Sequence, residues 1–256
     1  ITFITLFGPR EGIIRKMMPI IWIVLIPIGL VLIGGGLGLT PISSRNWGGL
    51  LLTLVLTISS AVIAFPIGII LALGRASKLT IINRFCKLYI DIIRAFPLIT
   101  VLFFGQLLIP LFLPADIEIN RVLRAVLAFS FFTSAYIAED IRGGIQSIPK
   151  TQEEAALVLG LNSFQIYQLI ILPQAIKTAI PALTNQFIGL LQNTSLMAIL
   201  GLVELLGISR SILANPQFIG RYLEVYIWLA AIYWLVCSIM ALISKNLERN
   251  LNSLQK

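Results

Sequence analysis

The chain has 256 residues, 58% of them hydrophobic and 12% charged, with a formal net charge of +8. A soluble domain carries about 25% charged residues, so this composition, with a mean hydropathy of +0.96, excludes an ordinary water-soluble protein and describes a polytopic helical membrane protein. The absence of histidine removes most metal sites and most nucleophile–base chemistry, and the two cysteines, Cys86 and Cys237, make no disulfide framework.

Residues 1–16 form a short leader with Arg10, Arg15 and Lys16. The chain begins at Ile1 rather than methionine, so a preceding segment is expected. Residues 17–44 carry no charge. A spanning helix needs about 20 apolar residues, so a first span is expected at 18–37. It is too long for a signal and lacks a small-residue cleavage site. The glycines at 34–38 are followed by no Lys-Ser/Thr, so they are not a phosphate loop. The second span is expected at 48–73, where Ala64, Gly68 and Ala72 make one small-residue face and Pro66 predicts a kink.

The segment 75–94 reads as a loop or surface helix, with Arg75, Lys78, Arg84, Lys87 and Arg94 against one acid, Asp91. The third span is expected at 97–113 and the fourth at 123–138, the latter followed by Glu139, Asp140 and Arg142. A polar island comes next. Glu153 and Glu154 suit the first turn of a helix, Ala155 and Ala156 favour helix and permit close approach, and Gly160 is a stop signal. Thr151 is expected to cap this helix, with Glu154 closing a Thr-x-x-Glu box.

Residues 176–191 are apolar but interrupted by Asn185 and Gln186, and end in the polar run Gln192, Asn193, Thr194 and Ser195. Polar groups at this depth commonly mark a pathway, and a broken helix here offers free backbone groups to a zwitterion. Interhelical hydrogen bonding is the other explanation. A short helix at 196–206, a loop at 207–221 and a last span at 226–243 complete the reading. Tyr226, Trp228, Tyr233 and Trp234 suit a membrane interface. Placing the leader, 75–94, 139–177 and the tail together puts fourteen of the nineteen Lys and Arg on one side. That side is expected to be cytoplasmic, with both termini on it, and the polar island then lies in the cytoplasm.

The island and its surroundings resemble a known family. Glu153-Glu-Ala-Ala156, Gly160, Leu161 and Ile171-Leu-Pro173 are similar to the EAA loop of the membrane subunits of bacterial ABC importers. Arg142-Gly-Gly-Ile-Gln-Ser-Ile-Pro149, Leu172-Pro-Gln-Ala175, Asn193-Thr-Ser-Leu196, Arg94-Ala-Phe-Pro-Leu98, Ala135-Tyr-Ile-Ala-Glu139 and Leu247-Glu-Arg249 resemble its polar amino-acid subgroup. Leu98-Ile-Thr-Val-Leu-Phe103 and Leu111-Phe-Leu-Pro114 look most like the permeases for general, acidic and neutral L-amino acids. There are departures. Ala95-Phe96-Pro97 stands where the family often has Gly-Thr-Pro or Gly-Val-Pro. Gln192-Asn193 stands where it often has Lys-Asp, and Thr151 replaces a usual glycine.

The resemblance implies an all-α membrane protein of about six transmembrane helices. A five-helix importer core would be joined to one N-terminal helix, with a cytoplasmic coupling helix. Residues 1–44 would be the leader and extra helix, 45–249 the transmembrane domain and 250–256 a cytoplasmic tail. The implied function is a permease subunit of an ATP-driven importer of L-amino acids, acidic or neutral, in the bacterial inner membrane. Glu153, Glu154, Ala155, Ala156, Gly160 and Leu161 would face the ATPase. Asn185, Gln186, Gln192, Asn193, Thr194 and Ser195 are candidates for the substrate path, and Glu139, Asp140 and Arg142 for a gate. The chain lacks Gly-x-x-x-x-Gly-Lys-Ser/Thr, so ATP and Mg would be bound by two partner ATPase subunits and this subunit would not be an enzyme. A second, related permease chain, a separate extracytoplasmic amino-acid-binding protein and the lipid membrane are the other expected partners. No metal and no nucleic acid are expected. The alternatives are a permease for another small solute, an intramembrane enzyme or a channel.

Overall fold

The computed structural model describes residues 47–112, 114 and 119–252. The expected first span at 18–37 and the acids Asp116 and Glu118 lie outside the described residues. Among the described residues eight helices run in order: α1 (Gly49–Ala76), α2 (Thr80–Ala95), α3 (Leu98–Phe112), α4 (Arg121–Gln146), α5 (Lys150–Val158), α6 (Ser163–Ala198), α7 (Leu205–Leu213) and α8 (Tyr222–Asn252). α1, α4, α6 and α8 are each long and apolar enough to cross a membrane. α2 and α3 form a pair bent by 102° that counts as a fifth span if taken together. No strand occurs among the described residues.

α4 is the centre of this arrangement, packed most extensively on α1 and next on α6. Its inner face is built from small and hydroxyl residues, including Ala125, Ala128, Ser130, Thr133, Ala135 and Ala138, all buried. Small side chains let spanning helices approach closely, where packing rather than water exclusion holds them. The expected small face of α1 does this: Ala64, Gly68 and Ala72 are buried. A Cβ on Gly68 would lie 2.5 Å from Ile137 Cγ2. Buried hydroxyls are satisfied locally. Thr57 Oγ1 donates to Thr53 O (2.8 Å), Ser130 Oγ to Val126 O (2.6 Å), and Ser60 Oγ crosses from α1 to Val126 O (3.2 Å).

α1 continues through Pro66 without a break. α3 contains a π-helical turn, Phe104–Leu108, just before Pro110. Proline at 110 removes the amide that would bond Gln106 O. Arg124 Nη1 supplies the missing donor at 2.7 Å, and Gln106 Nε2 answers to Arg121 O at 2.7 Å. α2, anticipated as loop or surface helix, is a helix with three faces. Cys86 and Ile90 are buried, Ile81, Phe85, Leu88 and Ile92 are exposed, and Arg84, Lys87 and Asp91 occupy the remaining side.

Four expectations about the second half are corrected. The fifth span is not broken at Gln192: α6 stays α-helical from Leu172 to Asn193, tightens to a 3-10 turn over Thr194–Ala198, and ends before Gly201 (φ +84°). Gln192 and Asn193 are exposed and do not compete for backbone partners, Gln192 Nε2 donating instead to Cys237 Sγ on α8 (3.8 Å), while Thr194 Oγ1 donates to Leu191 O (2.7 Å), which suits the tighter turn. The segment 207–221, anticipated as a loop, holds most of α7 and a 3-10 turn, Pro216–Phe218. The helix anticipated at 196–206 is instead a turn leading into α7. α8 extends beyond 226–243 and takes up the start of the expected tail.

Candidate coupling surface and transport path

α5 begins one residue before the expected cap. Pro149, extended at φ −60° and ψ 134°, sets the helix start, so Lys150 is already helical and Thr151 lies inside the first turn. The predicted Thr151 cap and its box with Glu154 are therefore absent. Glu153 occupies the first turn, where its charge meets the helix N-terminus. The helix stops as anticipated. Gly160 takes φ +82°, its N–H donates to Leu157 O (3.0 Å), and Leu161 N–H returns to Ala156 O (3.2 Å). This is a Schellman-type end that an L-residue with Cβ disfavours.

The six predicted coupling residues do not share one face. Ala156 is 2% exposed and packs on Ile166 and Ile171, with Leu161 alongside. It is an internal contact, not part of the outer surface. Glu154, Ala155 and Gly160 are exposed, and Glu153 is half-buried. Beside them stand Val158 and Leu159, 88% and 80% exposed, with Leu157 and Phe164. Together these side chains make a contiguous exposed apolar patch of the kind that marks interaction sites.

α5 is tied to the spanning helix that follows it. Gln174 Nε2 donates to Gln152 Oε1 (2.7 Å), Gln152 Nε2 donates to Gln174 Oε1 (3.3 Å), and Gln174 Nε2 also reaches Ile170 O (2.9 Å). The start of α6 is fixed by a capping box. Asn162 Oδ1 accepts from Gln165 N–H (2.9 Å) and Gln165 Oε1 from Asn162 N–H (3.0 Å). A π-helical turn, Tyr167–Ile171, then precedes Pro173. The Asn-x-x-Gln spacing was readable in the sequence as a box. The Gln152–Gln174 pair, 22 residues apart, was not.

Glu139, Asp140 and Arg142 sit near the end of α4. Glu139 Oε2 accepts from Arg75 Nη1 (2.8 Å) and lies 3.7 Å from Arg94 Nη1, and Glu139 Oε1 accepts from Arg142 Nε (2.9 Å). Arg75 Nη1 is also 3.6 Å from Asp91. Arg94 also lies over the Tyr136 ring, 5.4 Å from its centre. Glu139 thus joins α1, α2 and α4, while Asp140 makes no ion pair among the described residues.

Along α6, Asn185, Gln192 and Asn193 are exposed, and Gln186 and Ser195 are half-buried. Asn185 and Gln192 are seven residues apart, two turns, with Gly189 between them on the same side. They make a polar stripe on the second half of this spanning helix. Thr194 is fully buried and belongs to the packing. Glu204, which sequence reasoning missed, is fully buried just after this stripe. It caps α7, accepting from Leu206 N–H and Gly207 N–H (both 2.9 Å) and from Tyr233 Oη (3.3 Å). Burial raises its carboxyl above the usual range, and those three donors and Arg210 oppose the rise. Glutamate is a weak N-cap residue, so the sequence carried no signal for this role.

Residues 64–253 match the family of binding-protein-dependent transport system inner membrane components. The chain belongs to this family. It is 39% identical over 234 residues to the inner membrane amino-acid ABC transporter permease protein YhdY of Escherichia coli K12, covering 91% of this chain and 64% of the relative. It is 42% identical over 216 residues to the glutamate/glutamine/aspartate/asparagine transport system permease protein BztC of Rhodobacter capsulatus, covering 84% of this chain and 50% of the relative. The chain thus spans under two thirds of the length of these two relatives. Among shorter relatives, the glutamate/aspartate import permease protein GltK of Escherichia coli is 35% identical, with 78% of this chain and 91% of the relative covered. A crystal structure of an amino acid ABC transporter with histidines superimposes with a TM-score of 0.70 at 33% identity, over 79% of this chain and 92% of that one. The inward-facing MetNI methionine ABC transporter, at 19% identity and a TM-score of 0.63, shares the fold of this family member.

Proposed function

We propose that the chain is a membrane-spanning subunit of an ATP-driven importer of L-amino acids, acidic or neutral, in a bacterial inner membrane. The observation that carries the reading is the outer face of α5. Glu154, Ala155, Leu157 and Val158 are exposed on a short helix whose inner residue, Ala156, is locked onto α6. Such a helix suits a cleft on an ATPase subunit. Two such subunits bind ATP and Mg and do the hydrolysis, and this chain conveys their closure to α6. A second, related permease chain covers the exposed length of α8, whose most apolar window has no buried residue. A binding protein delivers the amino acid from the outer side.

Asn185, Gln186, Gln192, Asn193 and Ser195 line the path, offering amide and hydroxyl groups to the zwitterion in a bilayer where such groups otherwise remain unmatched. Glu139 serves as a clamp between α1, α2 and α4. Its partners come from three helices that pack on one another, so it braces that unit while α5 and α6 move. The relatives named for glutamate, aspartate, glutamine and asparagine support the acidic or neutral substrate class.

Copurification tests the docking face. Val158→Glu together with Leu159→Glu places two charges on it, and the ATPase subunit is expected to be lost while the chain stays in the membrane. Undiminished recovery of the ATPase with that double variant contradicts the docking assignment.

A further inference from the structure

A cavity of about 300 Å³ opens between the ends of α4, α6 and α8, beside α5. That volume is at the small end of ligand sites, which run about 300–1,000 Å³. Ser147, Gln174, Lys177, Thr178 and Glu248 supply its polar lining, with Pro149 and Pro181 among the apolar walls. Lys177 and Glu248 are both half-buried and opposite in charge. Neither makes an ion pair or a side-chain hydrogen bond among the described residues, so their charged atoms stand more than 4.0 Å apart across the cavity. Two partly desolvated opposite charges that face one space without meeting favour an occupant that touches both.

The remaining groups define that occupant. Ser147 Oγ already donates to Gly144 O (2.7 Å) and Thr178 Oγ1 to Gln174 O (3.1 Å). Each hydroxyl has spent its proton and keeps lone pairs to accept. The cavity therefore presents one carboxylate and two hydroxyl acceptors to an ammonium group, and one ammonium to a carboxylate. This is the complement of an α-amino acid head group. The asymmetric set does not suit a simple anion or a simple amine.

We propose that this cavity is a cytoplasmic site for zwitterionic α-amino acids, separate from the polar stripe of α6, through which internal amino acid slows the transporter. The proposal rests on the reading of the chain as an amino-acid importer subunit. Lys177 lies on α6, Glu248 on α8 and Ser147 in the link between α4 and α5. An occupant bridging them fixes three elements next to the Gln152–Gln174 contact and opposes their relative movement. A ligand that prefers one arrangement of these helices shifts the population toward it by its differential affinity.

The test uses the complete transporter in proteoliposomes, with ATP supplied outside and binding protein plus labelled amino acid inside. Only molecules with their nucleotide-binding side outward turn over, and L-glutamine or L-glutamate added outside reaches the cytoplasmic face alone. Hydrolysis is expected to fall as external amino acid rises, and glutarate, which lacks the ammonium, is expected to have no effect. Lys177→Gln and Glu248→Gln should each raise the half-inhibiting concentration about tenfold with turnover otherwise unchanged. The paired exchange Lys177→Glu with Glu248→Lys should restore inhibition. Absence of inhibition in the wild type, or inhibition unchanged in both single variants, overturns the site while leaving the importer reading intact. Failure of every labelled amino acid to leave the lumen or stimulate hydrolysis overturns the importer reading and this site with it.

Discussion

Gln152 on α5 and Gln174 on α6 exchange amide hydrogen bonds in both directions, at 2.7 Å and 3.3 Å. The same Gln174 amide holds Ile170 O at the π-helical turn. A displacement of α5 therefore acts on the first turns of a helix that crosses the membrane. Gln174→Leu keeps the volume and removes the bonds, at a cost of about 1 kcal/mol. Transport per ATP hydrolysed is expected to fall about fivefold, with the ATPase still bound. Simultaneous measurement of uptake and hydrolysis checks this. A double-mutant cycle with Gln152→Leu should show the two losses to be non-additive.

Gly143 and Gly144 are neighbours on α4 with opposite surroundings. A Cβ at Gly143 meets nothing within 4 Å, whereas one at Gly144 would lie 2.3 Å from Ala175 O on α6. Gly144→Ala must push α6 away from α4 and is expected to lower the thermal midpoint of the detergent-solubilised complex. Gly143→Ala removes a helix-destabilising glycine and should leave the midpoint unchanged or raise it, by about 0.5–1 kcal/mol of stability. Equal effects of the two would contradict the described packing of α4 on α6.

Gly160 faces open space but holds φ +82°. Gly160→Ala is expected to cost about 1–2 kcal/mol through backbone strain alone. Gly160→Asn should cost less, since asparagine tolerates the left-handed region. The order Gly, Asn, Ala in recovered ATPase partner is the readout.

Glu139→Gln leaves Arg75, Arg94 and Arg142 facing one another without their shared anion. Each charged hydrogen bond lost costs about 1.5–3 kcal/mol, so the variant is expected to unfold at lower temperature or to accumulate poorly. Arg94→Gln should be milder, because its contact with Glu139 is long at 3.7 Å and its side chain is 39% exposed. Pulse-chase and thermal unfolding separate the two.

What was legible in the sequence was set by local chemistry. The apolar runs gave α1, α4 and α8, the spacing of Ala64, Gly68 and Ala72 gave the packed face of α1, and Gly160 gave the end of α5. Thr151 misled because Pro149 starts the helix a residue early, a conformational effect that outweighs a side-chain cap. The run Gln192–Asn193 misled because polarity was read as a break, while those side chains are exposed, Gln192 reaching Cys237 on α8, and leave the backbone ladder closed. Ala156 was grouped with its exposed neighbours because sequence does not say which side of a nine-residue helix meets α6. The contacts of Gln174, Glu139 and Glu204 join residues far apart in the chain and needed the fold.

The proposed coupling of partner hydrolysis to amino-acid movement is tested most directly by ATP-dependent accumulation of labelled L-glutamate, L-glutamine, L-alanine and L-arginine, comparing wild type with Glu154→Arg. Glu154 is exposed on the docking face and makes no ion pair among the described residues, so its reversal spares the internal packing. Accumulation of at least one of the four by wild type, lost in the variant at equal membrane content, is the predicted result. Undiminished accumulation in Glu154→Arg, or none of the four accumulated by wild type, would contradict it.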